Sequence, residues 1–346
     1  MGLNIREIIP RREIEISDLK DKTICVDAFN TLYQFLTTIR QPDGTPLMDR
    51  KKRITSHLSG IFYRNVNLIS SGIKLIYVFD GEAPELKAKT YKKRREGREL
   101  AKERYEEALK VEDIIAMRRY SGQIARLNDE MINESMELLE AMGIAVVQAP
   151  AEGEAEAAYL CKIKKEIYAS ASQDYDSLLF GAPKLIRNLT LARRRKTFSG
   201  WTEVKPEMIE LEKVLNFLEI DLDQIICLGI LVGTDYNPRG IPGIGQKKAL
   251  QIVRKYKHPV LIFKNMEEKI KDLPEKDKFD WKEIFELFHK HKVTDAKIKF
   301  GKIDEEKIKK ILVKKHDFSE ERIEKQIEKL KEAEEKQKQK NLDEWF

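Results

Sequence analysis

Cysteine is scarce in this chain, and long apolar runs are absent. Only Cys25, Cys161 and Cys227 occur among 346 residues, far apart and without a CxxC pair. That excludes a disulfide framework and argues against a zinc ribbon. Each cysteine lies in an apolar stretch, where a buried core thiol belongs. No hydrophobic segment approaches the ~18 residues of a bilayer span, and the opening MGLNIREIIPRREIE lacks a signal-peptide core. A secreted, membrane or disulfide-rich protein is therefore not expected. Internal repeats are missing too. Charge is what the chain has in abundance: 36% of residues are Asp, Glu, Lys or Arg, against 41% hydrophobic, and mean hydropathy is −0.52. The core can be sizeable, but the surface must be densely ionic. Lys and Arg number 65 and Asp and Glu 59, a net +6 whose meaning depends on where it sits.

Two β-like runs dominate the first eighty residues. Residues 23–26 lead into Asp27, and residues 73–79 lead into Asp80. Both are mostly continuous apolar segments, as strands covered on both faces require. Between them, residues 54–71 carry Leu58, Ile61, Phe62, Val66 and Ile69 at helical spacing, stopped by Gly72. Strand, helix, strand predicts a right-handed parallel crossover. From 84 to about 126 lysines and arginines crowd a stretch too polar for a core element; its second part, 101–120, reads as a charged helix. The pattern then resumes with a helix (129–142), a strand (144–147), a helix (152–164) and a strand (168–171). Residues 184–198 read as a strand and a hairpin with the basic tip 193–196. A helix (225–232), a turn-rich stretch (233–245) and another helix (247–256) follow. Residues 319–340 are dominated by charge and read as a lone helix or a flexible tail.

Seven acids share a position in this pattern: Asp27, Asp80, Glu152, Glu154, Asp174, Asp176 and Asp235. Most follow an apolar strand closely, where open α/β sheets place their ligands; Asp235 instead closes a helix. Two carboxylates about 5 Å apart repel by about 3 kcal/mol at an effective dielectric near 20. Seven converging would be untenable without cations, and an oxygen-only set selects Mg²⁺ or Mn²⁺. Two such ions about 4 Å apart suit in-line phosphodiester hydrolysis. Taken singly, each acid also reads as a helix cap or turn residue, and spacing alone leaves both readings open.

Several blocks, in order, resemble the flap endonuclease family of structure-specific 5′ nucleases. They are Val26-Asp27-Ala28-Phe29, residues 55–64, Tyr77-Val78-Phe79-Asp80-Gly81, residues 149–157, residues 172–181 and Gly233-Thr234-Asp235-Tyr236. The resemblance runs from Met1 to about Tyr256. It implies an α/β fold: a mixed, mostly parallel twisted sheet flanked by helices. A helical arch (about 84–126) and a helix-two-turn-helix DNA-binding element belong to it. The domain plan it suggests is one nuclease domain, 1–330, built from an N-terminal part (about 1–105), an internal part (about 120–260) and C-terminal helices (about 261–330), then a flexible tail, 331–346. By the same resemblance the seven acids hold two Mg²⁺, with Mn²⁺ able to substitute, and Lys87 and Arg94 are the arch's catalytic basic pair. Tyr33 matches a position that stacks on a base, a sequence-tolerant contact worth roughly 1–3 kcal/mol. Pro46, Leu47, Thr55 and His57 resemble the wedge and pocket for the bent junction, although His57 alone reads as a packed helix histidine.

The Gly-rich turn with Gly243 and Gly245, followed by Lys247 and Lys248, exposes backbone N–H groups to a phosphate at a helix start. It resembles the family's duplex-gripping element, often built around a monovalent cation. Gln339, Leu342, Trp345 and Phe346 fit a sliding-clamp-binding motif, with the three apolar residues on one face of a helical turn. That motif ends the chain, which favours an archaeal-type, cytoplasmic, nucleoid-associated form. The expected activity is metal-dependent removal of 5′ flaps from branched DNA in replication (Okazaki fragment maturation) and repair, with 5′→3′ exonuclease activity, by a protein monomeric on its own. A catalytically silent branched-DNA adaptor of the clamp is the rival. Concentrated negative charge disfavours it, because phosphates must approach the same place.

Overall fold

The continuous apolar runs become strands. In the computed structural model, residues 3–41, 43–111, 113–191, 194–197 and 200–343 are described; 88, 89, 91–94, 114, 118, 194–197, 200, 201, 337, 338 and 340–343 are described for their backbone alone. The strands are β1 (Arg12–Glu13), β2 (Thr23–Asp27), β3 (Lys74–Phe79), β4 (Ala145–Gln148), β5 (Ile167–Ala171), β6 (Lys184–Arg187), β7 (Arg194–Thr197), β8 (Gly200–Glu203) and β9 (Glu207–Glu210). Seven of them make one mixed, mostly parallel sheet flanked by helices, in the order β1-β9-β6-β5-β2-β3-β4. The expected sheet is there. Its antiparallel edge, β6-β9-β1, was not foreseen, because β1 is only two exposed residues long. The hairpin differs as well: β7 pairs Arg194 with Glu203 and Thr197 with Gly200, so residues 194–196 lie along a strand rather than at the tip.

Backbone contacts divide the chain into two compact units. One gathers Met1–Ile14, Val78–Lys92 and Gln148–Asp295; the other gathers Glu15–Tyr77, Lys93–Val147 and Ala296–Phe346. In the first unit, β5 and β6 are parallel, with Ser170 opposite Leu185 and Ala171 opposite Ile186. Their core is completed by the helix Leu222–Val232, which is buried from Gln224 to Leu231 because it is apolar all round. Asp221 and Gln224 close its start reciprocally as a capping box. Each fully buried Ile or Leu of this helix contributes about 1.5–3 kcal/mol. The helix ends at Gly233, and the turn beyond folds back on it. Gly240, at φ +54°, leaves so little room that a Cβ there would lie 2.4 Å from the Val232 carbonyl.

In the second unit the helix Ser56–Ser70 packs against the helices Ala28–Thr38, Asp129–Ala141 and Glu320–Asp343. The last of these shows how a charge-dominated segment can still be structural. Ile323, Ile327 and Leu330 recur at helical spacing and are fully buried, so the helix runs through 331 to Asp343 where a flexible tail was expected. The charged insertion forms two helices, Ala88–Lys110 and Ile114–Ile124; Asp113 starts the second by accepting from the N–H groups of Ile115 and Ala116 at 3.0 Å. No described helix is long and apolar enough to cross a membrane. His57 is buried and without a hydrogen-bond partner. Burial pushes it down to about 4, so it packs as a neutral ring.

An ionic cluster fixes the loop before that helix within the same unit. The His316 ring lies 3.0 Å from Asp49 Oδ2 and 3.1 Å from Glu134 Oε1, and Arg53 Nε donates to Asp49 Oδ2 at 2.7 Å. Burial works against the Asp49 carboxylate, but the Arg53 N–H, the His316 ring and the Arg53 guanidinium outweigh it and hold Asp49 down to about 2. Its contribution to stability is therefore complete above the unfolded value of about 3.9, and is lost as pH falls through about 2. Asp49→Asn should cost about 3 kcal/mol at pH 7, the loss of one partner from a buried pair. Denaturant midpoints at pH 7 and near pH 2 would check this: the deficit should shrink at the lower pH, and an equal deficit at both would contradict it.

Candidate active site

Four stretches of the first unit each end in carboxylates. Asp80 follows β3 directly. Glu152 caps the helix Gly153–Ile163, and Glu154 lies in its first turn. Asp174 and Asp176 occupy the turn after β5, and Asp235 follows the helix Leu222–Val232. Backbone pairing laces two of these stretches together: Ala149 N donates to Phe79 O at 2.8 Å, and Gly81 N to Ala151 O at 2.5 Å. Gly153 N then donates to Asp80 Oδ1 at 2.7 Å. A Cβ at Gly153 would meet that oxygen at 2.8 Å and Val78 O at 3.0 Å, so only glycine fits against Asp80 here.

The other acids are held by short polar contacts. Ser172 Oγ donates to Glu154 Oε1 at 2.7 Å and accepts from Asp174 N at 3.2 Å. Leu3 N donates to Asp176 Oδ1 at 3.2 Å. The Tyr236 hydroxyl donates to Glu152 Oε2, and the Tyr236 ring is braced edge-on against Phe288, centroids 5.4 Å apart. Thr234 and Asn237 lock the turn around Asp235, with Thr234 Oγ1 donating to Asn237 Oδ1 at 2.8 Å. Asp27 closes β2 in the other unit. It is 5% exposed and caps the helix Ala28–Thr38 by accepting from Asn30 N at 3.0 Å.

Among the described residues, Lys87 is the cation in this acidic set. It ends the short turn Glu85–Lys87; its ammonium pairs with Glu152 Oε1 and lies 3.6 Å from Asp235 Oδ2, 5.5 Å from the Tyr236 ring centre. Burial alone would lower the Lys87 amine, but Glu152 and Asp235 reverse that and hold it far above its ordinary value. The acids feel the opposite pressure. Burial pushes the Asp80 carboxyl up, opposed by the Gly153 N–H and Lys87 and reinforced by Glu152 and Asp235. Asp176 is also pushed up, first by burial and then by Asp235 and Asp174. Asp80, Glu152, Glu154, Asp174, Asp176 and Asp235 thus interact electrostatically as one set with Lys87 among them. Among the described residues no three are arranged to ligate one ion; the Lys87 ammonium stands between two of the acids instead. The donors are all hard oxygens, and the three cysteines are buried and form no disulfide. Such a set fits a hard divalent cation.

Comparison with known proteins decides the family. Residues 4–101 match the XPG N-terminal domain and residues 143–235 the XPG I-region. Flap endonuclease 1 of Thermococcus onnurineus is 52% identical, covering 100% of this chain and 99% of its own. The Pyrococcus furiosus protein of the same name has the same values. The chain belongs to the flap endonuclease family. Among solved structures, the flap endonuclease-1 from Methanococcus jannaschii superimposes with a TM-score of 0.74 at 40% identity, over 96% of this chain and 98% of that one. The catalytic core of Rad2 in complex with DNA substrate shares the fold, with a TM-score of 0.70 at 21% identity over 95% and 100% of the two chains.

The remaining positions singled out from the sequence are spread over this flap endonuclease fold. Tyr33 is 37% exposed on the helix Ala28–Thr38. Thr55 is buried at the start of Ser56–Ser70, and its N–H donates to Leu47 O at 2.8 Å, so it braces the preceding loop. Gly243, Gly245, Lys247 and Lys248 are exposed while Ile241 and Ile244 are buried, which presents the turn and the start of Gln246–Tyr256 to solvent. Arg94 is placed by its backbone in Ala88–Lys110. Gln339 is exposed on the last helix, Leu342 is placed there by backbone only, and Trp345 and Phe346 lie outside the described residues.

Sequence reasoning had not singled out Ser172, Tyr236 or the Leu3 N–H. The first two stand close in sequence to acids of the set. Leu3 and Asp176 are 173 residues apart, and no local pattern could join them. Gly153→Ala should force Asp80 to move and lower single-turnover cleavage of branched DNA by about tenfold or more, since small misplacements at a reacting centre are costly. Stopped-flow cleavage alongside a melting curve would test this; wild-type cleavage with unchanged melting would remove Gly153 from the account.

Proposed function

We propose that this chain is a structure-specific flap endonuclease that hydrolyses phosphodiester bonds at 5′ flaps of branched DNA, with 5′→3′ exonuclease action, in cytoplasmic replication and repair. The observation that carries the proposal is the coupled set of six carboxylates around Lys87 at the ends of strands and helices. Asp27 joins them in this reading. The seven together would hold two Mg²⁺, or Mn²⁺ in their place. Bound there, such ions supply a nucleophile at neutral pH and neutralise charge developing on the scissile phosphate.

The chain's own groups do the rest. Gly153, Ser172, Tyr236 and the Leu3 N–H orient the carboxylates. Lys87, which here meets Glu152 and Asp235, would with Arg94 offset the charge growing on the phosphate. Tyr33 stacks on a base near the scissile bond. The exposed turn at Gly243 and Gly245, with Lys247 and Lys248, grips duplex phosphates and reads no sequence; a monovalent cation would share that turn. Gln339, Leu342, Trp345 and Phe346 supply the anchor for a sliding clamp, aromatic residues being the usual source of such affinity.

The kinetic split between these groups is the test. Asp80→Asn and Asp176→Asn should abolish cleavage while leaving flap binding in EDTA largely intact. Lys87→Ala should slow single-turnover cleavage by more than roughly tenfold with a far smaller change in affinity. Lys247→Ala and Lys248→Ala should instead weaken binding and flatten its salt dependence by roughly 0.9 for each phosphate no longer neutralised. Near wild-type turnover in either Asp variant at saturating Mg²⁺ would sink the assignment.

A further inference from the structure

At the sheet edge of the first unit, three guanidinium groups converge on one buried carboxylate. Glu207, at the start of β9, accepts from Arg6 Nη2 at 2.7 Å and Arg187 Nη1 at 3.3 Å, with Arg11 Nε 3.5 Å away. Arg11 Nη1 also donates to the backbone carbonyl of Arg6 at 2.6 Å, which ties the Arg11 guanidinium to the chain at Arg6. Arg187 is bound on its other side: Nε donates to Gln173 O at 3.0 Å, and the guanidinium lies 4.2 Å from the Tyr175 ring centre. The side chains of Arg187 and Glu207 are 12% and 8% exposed, but those of Arg6 and Arg11 are 49% and 35% exposed. Arg6 and Arg11 line an open hollow of 470 Å³ together with Ile9, Pro10, Glu13 and Glu207. Two arginines and two glutamates line the hollow, and the third guanidinium, Arg187, pairs with Glu207 from outside that lining.

Strand directions set where this hollow lies. β5 and β6 are parallel, so Arg187, the last residue of β6, is at the same end as the turn after Ala171 that carries Asp174 and Asp176. β9 is antiparallel, and its first residue, Glu207, is opposite Arg187; Glu13 of β1 is opposite Glu207 in turn. The arginines and the acids therefore share one rim of the sheet. At about 4.8 Å per strand, two steps separate Glu207 from the end of β5 by about 10 Å. Guanidinium forks match phosphate oxygens, and here a buried carboxylate holds them in place without neutralising them.

We propose that Arg6, Arg11 and Arg187, organised by Glu207, form a second anion site that takes a backbone phosphate of the DNA strand carrying the scissile bond. The proposal rests on the nuclease reading above. It gives the strand a cationic foothold beside an acidic centre that would otherwise repel it. The direct bonds to phosphate come from Arg6 and Arg11, while Arg187 ties the site to the turn of Asp174 and Asp176.

Flap DNA binding measured with Ca²⁺ in place of Mg²⁺, over a potassium chloride series, tests it. For Arg6→Gln with Arg11→Gln the slope of log affinity against log salt should flatten by roughly 0.7–0.9 for each phosphate no longer neutralised. A set of flaps, each with one neutral methylphosphonate near the scissile bond, should contain one position that weakens wild-type binding and leaves the double variant's binding unchanged. An unchanged slope, or a methylphosphonate penalty equal in both proteins, overturns the proposal. So does a lowered melting temperature with the wild-type slope, which would make the cluster a brace of the sheet edge alone. Arg6→Gln by itself, at a half-exposed side chain, gives the same readout should the double variant fold poorly. Wild-type flap cleavage with Mg²⁺, run in parallel, reports separately on the nuclease reading.

Discussion

Repulsion among buried and half-buried carboxylates is the constraint to which the first unit answers. Asp80, Glu152, Glu154, Asp174, Asp176 and Asp235 raise one another's proton affinity or pull on the same lysine. A folded chain tolerates this only if something positive stands among them. In this structure that is the Lys87 ammonium, against Glu152 and 3.6 Å from Asp235. The same need explains the surrounding donors. Backbone N–H groups of Gly153 and Leu3 and the hydroxyls of Ser172 and Tyr236 each meet one acid, and each prefers its ionised form.

Those donors come from distant parts of the sequence, which makes the fold a condition of the chemistry. Leu3 must reach Asp176, Tyr236 must reach Glu152, and the glycine at 153 must bring a helix start against Asp80. The buried helix Leu222–Val232 and the parallel pair β5 and β6 hold these ends still. Rigidity in the scaffold keeps the acids in place while their charge drives them apart. Positive charge elsewhere lies along the helices of the insertion, at the exposed turn with Lys247 and Lys248, and at the sheet rim with Arg6 and Arg11.

Much of this was legible in the sequence, and the reasons are local. Buried strands announce themselves as continuous apolar runs, so β2, β3 and β5, and the acids that end or follow them, could be located by eye. The exposed glycine turn was legible because glycine and lysine there sit between apolar anchors. What escaped was set by tertiary structure. β1 and β9 are short, and β1 is wholly exposed, so no periodicity marked the antiparallel edge. The last helix read as a lone helix or a flexible tail because Ile323, Ile327 and Leu330 are thinly spread among Lys and Glu, and only a neighbouring helix gives them something to bury against. Lys87 was read as a group facing phosphate. That it lies against Glu152 and near Asp235 depends on contacts between residues far apart in the sequence, which its neighbours do not encode.

If Lys87 stands in for a divalent cation, the two compete for the same carboxylates. Calorimetric titration of Mn²⁺ into the DNA-free protein, comparing wild type with Lys87→Met at equal ionic strength, measures that competition. The account predicts tighter Mn²⁺ binding in Lys87→Met, by about tenfold, equivalent to about 1.4 kcal/mol, because no ammonium has to leave. Equal or weaker binding would contradict it, and would mean that Lys87 and the ion do not share Glu152 and Asp235.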